Sequence, residues 1–262
     1  SDPANKELTD KAKRLTNNAY AELRTNPEKI LGFGLKIQDI YDRYFEHAFE
    51  YLNRNRLNLG ADIFYNISAK TNVFVEYMYS NIKYQSHDVN DSTGGAFALG
   101  INGDITSTIN GTAKVSYDYR NYKEHIDEID NHVGSMGYYL ALEWNPTTRN
   151  TIRLSGSRGL EETIWSNNRY FIDTGIDLYA SHKLTDKFTV AASFGYDKLD
   201  YKKTSYGVDR GDNVFTIKPE VSYNFKEWLK AGVWYQYRLR RSNAEATGYT
   251  NNKLGAYVKA FF

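Results

Sequence analysis

Histidine and carboxylate side chains, the acid and base pair of many hydrolytic enzymes, come together in one polar stretch of this sequence. His125 is followed there by Asp127, Glu128 and Asp130. A solvated acidic loop has the same composition and explains this group without a catalytic function. The remaining histidines stand apart, at His47, His87, His132 and His182. We therefore expect no catalytic residue and no enzyme activity.

Loop carboxylates are the second chemical signal in the sequence. Asp88 and Asp91 form one group, and Asp127, Glu128 and Asp130 form another. Oxygen ligands of this kind suit a hard cation such as Ca²⁺, but a hydrated loop explains both groups better. The chain has no Cys, which excludes disulfides and thiolate metal sites. We expect no metal site and no cofactor.

The composition favours a membrane wall built from strands. The chain has 262 residues with 33 Lys and Arg against 32 Asp and Glu, a balance that excludes the basic footprint of a nucleic-acid-binding protein. Mean hydropathy is -0.64, yet 15% of the residues are aromatic and 23 of them are Tyr. Tyr suits an interface where one end of the ring is apolar and the other is wet. No run of about 18 apolar residues suggests a spanning helix.

Apolar residues recur at period two along most of the chain. Residues 113–120 (AKVSYDYR), 188–197 (FTVAASFGYD) and 229–238 (LKAGVWYQYR) are examples. Successive strand residues point to opposite faces, so each segment has one apolar and one polar face. A soluble β-sandwich alternates in the same way, but these segments are longer than ordinary globular strands. Short turns and long polar loops also alternate between them, which is typical of outer-membrane barrels.

The pattern predicts an all-β protein, a transmembrane antiparallel up-and-down β-barrel of about twelve strands. Residues 27–262 would form this barrel, with an even number of strands placing both ends in the periplasm. The predicted strands lie near residues 32–41, 55–66, 71–84, 95–104, 109–122, 133–145, 150–160, 168–181, 187–200, 213–224, 227–241 and 250–262.

Residues 1–26 predict a short N-terminal helix. Pro3 suits a first helical position, and an apolar stripe at helical spacing follows it. The stripe consists of Leu8, Ala12, Leu15, Ala19 and Leu23. Two interpretations stay open: a helix packed outside the lumen in the periplasm or a loop, which we favour, and a plug within the lumen.

Four segments carry a family resemblance. They are residues 65–71 (YNISAKT), 115–122 (VSYDYRNY), 143–151 (EWNPTTRNT) and 235–243 (YQYRLRRSN). Together they resemble the putative β-barrel porin family over roughly residues 55–262. The resemblance implies an outer-membrane channel of the kind that accompanies exopolysaccharide synthesis and export. Members are generally longer than this chain, which implies more than twelve strands if N-terminal strands are missing.

The polar residues at alternate positions of the predicted strands would face the lumen of the barrel. Rings of charged side chains set selectivity in other channels, and Tyr139, Tyr179, Trp234 and Tyr257 share this parity. Aromatic faces beside charged groups suit sugars, although the rings could also simply fill space. The predicted pore-lining residues are Lys114, Asp118, Arg120, Glu143, Arg153, Asp173, Asp177, Lys218, Glu220, Lys230, Trp234, Arg238 and Arg240.

The sequence therefore predicts a porin-like channel in the bacterial outer membrane that passes a polar solute, above all a polysaccharide for export. Its expected partners are membrane lipids, a polysaccharide and a periplasmic export component, without nucleic acid. A closed scaffold barrel whose extracellular loops or periplasmic face bind a partner is the main alternative. An enzyme of the omptin type, with its His and Asp residues at the extracellular rim around His125, is a weaker one.

Overall fold

One antiparallel β-sheet accounts for nearly all of the structure. The computed structural model describes residues 13–25, 30–85, 90–124, 130–163, 169–201, 209–245 and 247–261. A short 3-10 helix, His47–Leu52, lies between two of the strands. Within these ranges no helix is both long and apolar enough to cross a membrane. The strands are β1 Arg14–Arg24, β2 Leu31–Tyr44, β3 Arg54–Ser68, β4 Thr71–Tyr84, β5 Ser92–Asp104, β6 Ile109–Tyr122, β7 His132–Thr147, β8 Asn150–Glu162, β9 Tyr170–Lys183, β10 Phe188–Tyr201, β11 Arg210–Lys226, β12 Leu229–Ser242 and β13 Tyr249–Ala260.

The predicted β-architecture is confirmed, with thirteen strands rather than twelve. Each of the twelve predicted strands matches one of β2 to β13. The helix predicted over residues 1–26 is wrong for Arg14–Arg24, which form β1 and pair with β2 along their whole length. The apolar residues of that segment recur every four positions, and a spacing of four also fits the two-residue period of a strand. Residues 1–12 lie outside the described part.

The strands follow one another around the sheet in sequence order, and β1 and β13 are its two edges. At one end of the strands the connections are short, with residues 69–70, 148–149 and 227–228 each joining two neighbours. At the other end they are longer, as over residues 123–131 and 202–209. This alternation is the one predicted for an outer-membrane barrel.

The sheet is strongly curled. On a flat sheet, five strand spacings of about 4.8 Å would put β3 and β8 roughly 24 Å apart. Yet Arg54 Nη1 on β3 lies 2.8 Å from Glu162 Oε2 on β8. The sheet therefore has a concave inner face and a convex outer face.

The outer face is apolar and uncovered. Val115 is 53% exposed, and its neighbours across the ladders, Leu99 and Tyr138, are exposed as well. Soluble monomers rarely expose so continuous an apolar surface, whereas a protein that spans a bilayer requires one. The inner face of the same strands carries the charged and amide side chains. The apolar-out, polar-in alternation is that of a transmembrane barrel.

Aromatic side chains mark both borders of the apolar band. Tyr65, Trp144 and Tyr223 lie on the outer face near the short turns. Near the long loops, the rings of Tyr196 and Phe215 lie 5.0 Å apart. On β11, Phe215 and Tyr223 are eight residues apart, roughly 26 Å along the strand at about 3.3 Å per residue. In a strand tilted by about 40°, this length spans roughly 20 Å of membrane height, which is most of a band about 25 Å tall with an aromatic girdle at each interface.

Pro219 interrupts one ladder in the middle of the wall. The β11–β12 pairing runs to Ile217↔Tyr237 and resumes at Glu220↔Trp234. Because proline has no N–H to donate, the positions between these pairs have no ladder partner on β12. The β10–β11 ladder is continuous past the same residue.

The two faces predict opposite responses to a new charge. We expect Val115→Arg, near the middle of β6 on the lipid face, to lower the free energy of unfolding by about 2–4 kcal/mol. Residue 116 faces the polar interior, so Ser116→Arg should lower the free energy of unfolding much less. Denaturant unfolding of both variants in lipid vesicles measures the difference, and equal costs would contradict the assignment of the faces.

Candidate functional site

The strand register places all thirteen predicted pore-lining residues on the inner face. Lys114 pairs with Tyr139, Glu143 with Arg153, and Glu220 with Trp234. Cross-strand partners share a face, and the ladders continue this relation from β6 to β12. Whether this face borders an open water path stays a prediction. The residues are Lys114, Asp118, Arg120, Glu143, Arg153, Asp173, Asp177, Lys218, Glu220, Lys230, Trp234, Arg238 and Arg240.

A chain of ion pairs with alternating sign crosses the inner face from β1 to β6. Arg24 lies 3.5 Å from Asp62, whose carboxylate lies 3.4 Å from Lys36. Lys36 and Lys114 donate to the two oxygens of Glu76 at 2.8 and 3.0 Å. Arg24 and Lys36 were not predicted as members, and Arg24 belonged to the predicted helix. Neither sign dominates along this part of the wall.

On β7 to β9 a more exposed pair continues the pattern. Arg153 Nε donates to Glu143 at 2.6 Å, and its guanidinium lies 5.3 Å from the centre of the Tyr179 ring. The side chains of Arg153 and Glu143 are 57% and 31% exposed. An exposed pair of this kind contributes little to stability, so its charges remain available to solutes.

Two aromatic rings lie flat against the wall at β12 and β13. Tyr257 covers Gly232, where a Cβ would come within 2.7 Å of the ring, and Trp234 covers Gly255 in the same way. Only glycine leaves room for a ring to lie on the strand opposite. Tyr257 also donates its hydroxyl to Glu220 at 2.6 Å. Lys218 Nζ lies over the Trp234 ring, 4.6 Å from its centre, and Lys259 Nζ lies over the Tyr257 ring at 4.9 Å.

Arg240 shares the inner face but is buried at the long-loop end. It is 1% exposed, and its Nε donates to Asp212 at 2.9 Å. Arg210 donates to the same carboxylate at 2.8 Å, and Asp212 is fully buried. Arg240 therefore ties β11 to β12 and does not face an open path, which sequence parity alone could not distinguish.

Glu162 is the centre of a second buried cluster. Its carboxylate contacts the guanidinium groups of Arg54, at 2.8 Å, Arg56, at 3.4 Å, and Arg120. These residues come from β3, β6 and β8, and the Glu162 side chain is 3% exposed. The predicted strand ended at residue 160, so Glu162 was expected in a loop. No local sequence pattern connects it with its arginine partners.

Two cavities open beside these groups. One of about 330 Å³ is lined by Lys36, Arg56, Asn58, Arg120 and Glu162, among others. The second, of about 200 Å³, lies along the ion-pair chain. Both are bounded mainly by polar side chains, as expected for a wet interior.

The remaining chemical candidates form no site in the described part. His125, Asp127, Glu128, His87 and Asp88 lie outside it.

Asp91 holds a strand end instead, accepting from the Tyr84 backbone N–H at 2.7 Å and from Lys123 at 3.0 Å. His132 and His182 each lie within hydrogen-bond distance of an asparagine. Within the described ranges, no group of three or more His, Asp or Glu residues could hold a metal ion.

Up-and-down antiparallel strands with an apolar aromatic-bordered outer face and a charged inner face define a bacterial outer-membrane β-barrel. The chain belongs to the family described as Putative beta-barrel porin 2, whose model matches residues 50–262. No curated protein matches the chain.

A solved structure shows the same fold. The FrpB iron transporter from Neisseria meningitidis superimposes with a TM-score of 0.59 at 11% identity, over 96% of this chain and 49% of that one. The chain thus spans about half the length of FrpB. OmpT of Vibrio cholerae matches with a TM-score of 0.43 at 12% identity, over 97% of this chain and 100% of that one.

The ion-pair chain should matter more for stability than the exposed pair. Glu76→Ala leaves Lys36 and Lys114 without their shared acceptor, and we expect it to lower the free energy of unfolding by about 1–3 kcal/mol. Glu143→Ala, the matched control, breaks an exposed pair and should cost less than about 1 kcal/mol. Denaturant titrations of both variants test this order, and a reversed order would contradict it.

Proposed function

We propose that the chain forms the wall of a passive channel for a polar solute, above all a polysaccharide in export. The observation that carries this proposal is the inner face, which presents charges of both signs from β1 to β12. A closed structural wall needs only groups that fill space, whereas charges such as Arg153 and Glu143 stay partly exposed on this face.

A lumen of mixed sign suits a neutral or weakly charged solute. A wall of one sign would concentrate counter-ions and hold them. Here Arg24, Lys36 and Lys114 alternate with Asp62 and Glu76. Such a wall can orient a polar molecule through successive short contacts without trapping it.

Two features support a sugar as the solute. Gln38 donates to Asn18 at 3.0 Å and accepts from Asn58 at 3.2 Å, so amides line β1 to β3 at one level of the wall. Amides can both donate to and accept from hydroxyl groups. On the other side, Trp234 and Tyr257 lie flat over glycines, and a sugar ring would stack on them in place of the ammonium groups of Lys218 and Lys259. Passage of this kind involves no bond-making step.

A scaffold function is the second candidate, and the Glu162 cluster favours it. Arg54, Arg56 and Arg120 are drawn together over the concave face by one carboxylate. If this cross-link closed the lumen at the long-loop end, the barrel would act through its loops or its periplasmic face on a partner.

Conductance in a planar bilayer separates the two functions. We expect stepwise channels with weak discrimination between small cations and anions, because both signs line the wall. Arg238→Glu should shift the reversal potential across a salt gradient towards cations. Arg149→Glu, the same charge reversal on an exposed turn, should shift it much less.

A protein that inserts without conducting would favour the scaffold. An unchanged reversal potential in Arg238→Glu would show that this residue does not line the ion path. We expect Arg240→Glu to impair insertion instead, because it would place two carboxylates together in a buried site.

A further inference from the structure

We infer that the arginine cluster at the long-loop end is a binding site for an oxyanion of the solute, and that Glu162 occupies it as an internal ligand. This inference rests on the proposed function in taking the solute to be a polar molecule of the lumen. The site consists of Arg54, Arg56 and Arg120, and the occupant is the carboxylate of Glu162.

The backbone around Glu162 shows how the carboxylate reaches the cluster. The β6–β7 ladder continues to Asn121↔His132, but the β7–β8 ladder ends at Tyr138↔Arg158. The last residues of β8 therefore separate from β7. The Leu160 backbone N–H donates instead to the carboxylate of Asp118 on β6. The end of β8 thus lies over the inner face and carries Glu162 with it.

Glu162 is not the only carboxylate near the cluster. Asp42 contacts Arg54 at 3.4 Å, and Asp118 and Glu161 line the same cavity as Arg56 and Arg120. The wild-type cluster therefore has no excess positive charge, and a solute oxyanion would have to take the place of the Glu162 carboxylate. Planar guanidinium groups are suited to binding carboxylates and other oxyanions.

Two hydrogen-bond donors in the cluster also have no acceptor among the described residues. The Nε atoms of Arg56 and Arg120 are buried and have no hydrogen-bond partner among the described residues. A buried donor without a partner requires an explanation, of which a missing ligand is one. Both arginines line the cavity of about 330 Å³, and so does Glu162. Room for a ligand and unused donors therefore occur at the same place.

Exchange would work by competition between two carboxylates. A solute oxyanion entering the cavity meets the same three arginines that hold Glu162, so the arginines stay paired while the displaced Glu162 carboxylate moves into water. The end of β8 would be released from β3 and β6 when its carboxylate is displaced. Oxyanions enter here either as free inorganic anions or as acidic groups on a larger sugar.

Calorimetric titration of the folded protein in detergent tests the site without requiring conductance. The probes are sodium sulfate, tetragalacturonate and the neutral maltotetraose. Glu162→Gln preserves the shape of the side chain but vacates the charge, and we expect at least one oxyanion to bind about tenfold more tightly than to wild type. Maltotetraose affinity should not change. Glu227→Gln, the same substitution on an exposed turn, should behave as wild type.

The pattern of probes identifies the source of the oxyanion. Tighter binding of tetragalacturonate alone supports an acidic sugar, and tighter binding of sulfate as well supports a general oxyanion site. Equal oxyanion affinities in wild type and Glu162→Gln would overturn the inference. The proposed channel function fails separately, if the wild type does not conduct.

Arg120→Gln provides a second variant in case Glu162→Gln does not fold. Arg54 and Arg56 still hold Glu162 in this variant, but one donor to the ligand is lost. We expect weaker oxyanion binding than in wild type, with the heat-dependent gel mobility of a folded barrel retained. Unchanged or tighter oxyanion binding in a folded Arg120→Gln protein would also overturn the inference.

Discussion

Hydrocarbon offers no hydrogen-bond partner to a backbone N–H or C=O group, and the arrangement of this chain depends on that constraint. Neighbouring strands must satisfy each other, so the chain folds as a series of hairpins in sequence order. The register shifts recorded in the described ladders, at Asn66/Ser68, Trp144/Thr147 and Asn224/Lys226, all lie at the short-turn end. These register shifts thus lie where water can reach the backbone, and the gap at Pro219 in mid-strand is an exception.

Once the ladders are fixed, side-chain parity determines which residues face lipid and which face the interior. One face must be apolar for lipid, which leaves the other to carry the charges of the chain. Those charges stabilise the wall where they are buried, as at Asp212, and remain accessible where they are exposed, as at Arg153. A structural end near the long loops thus differs from a solvated region closer to the short turns.

Much of this could be predicted from sequence because a period of two is a local signal. The bounds predicted for Thr71–Tyr84 and Ile109–Tyr122 agree with the structure. The helix predicted around Leu15, Ala19 and Leu23 was wrong, because a spacing of four residues fits both a helix and a strand. Glu162 could not be found, since Arg54 is 108 residues away in sequence and meets it only when the sheet curls. The burial of Arg240 likewise depends on packing at the strand ends and not on parity.

Pro219 creates a local weak point in the wall. The β11–β12 ladder has a gap in mid-strand while the ladders on either side of it are continuous there. Parting β11 from β12 therefore costs less than it would with an uninterrupted ladder of the same length. Trp234 follows the gap closely, so its emission spectrum would sense water that enters between the two strands. A single imino acid thus gives water a place to enter the pairing in the middle of the wall.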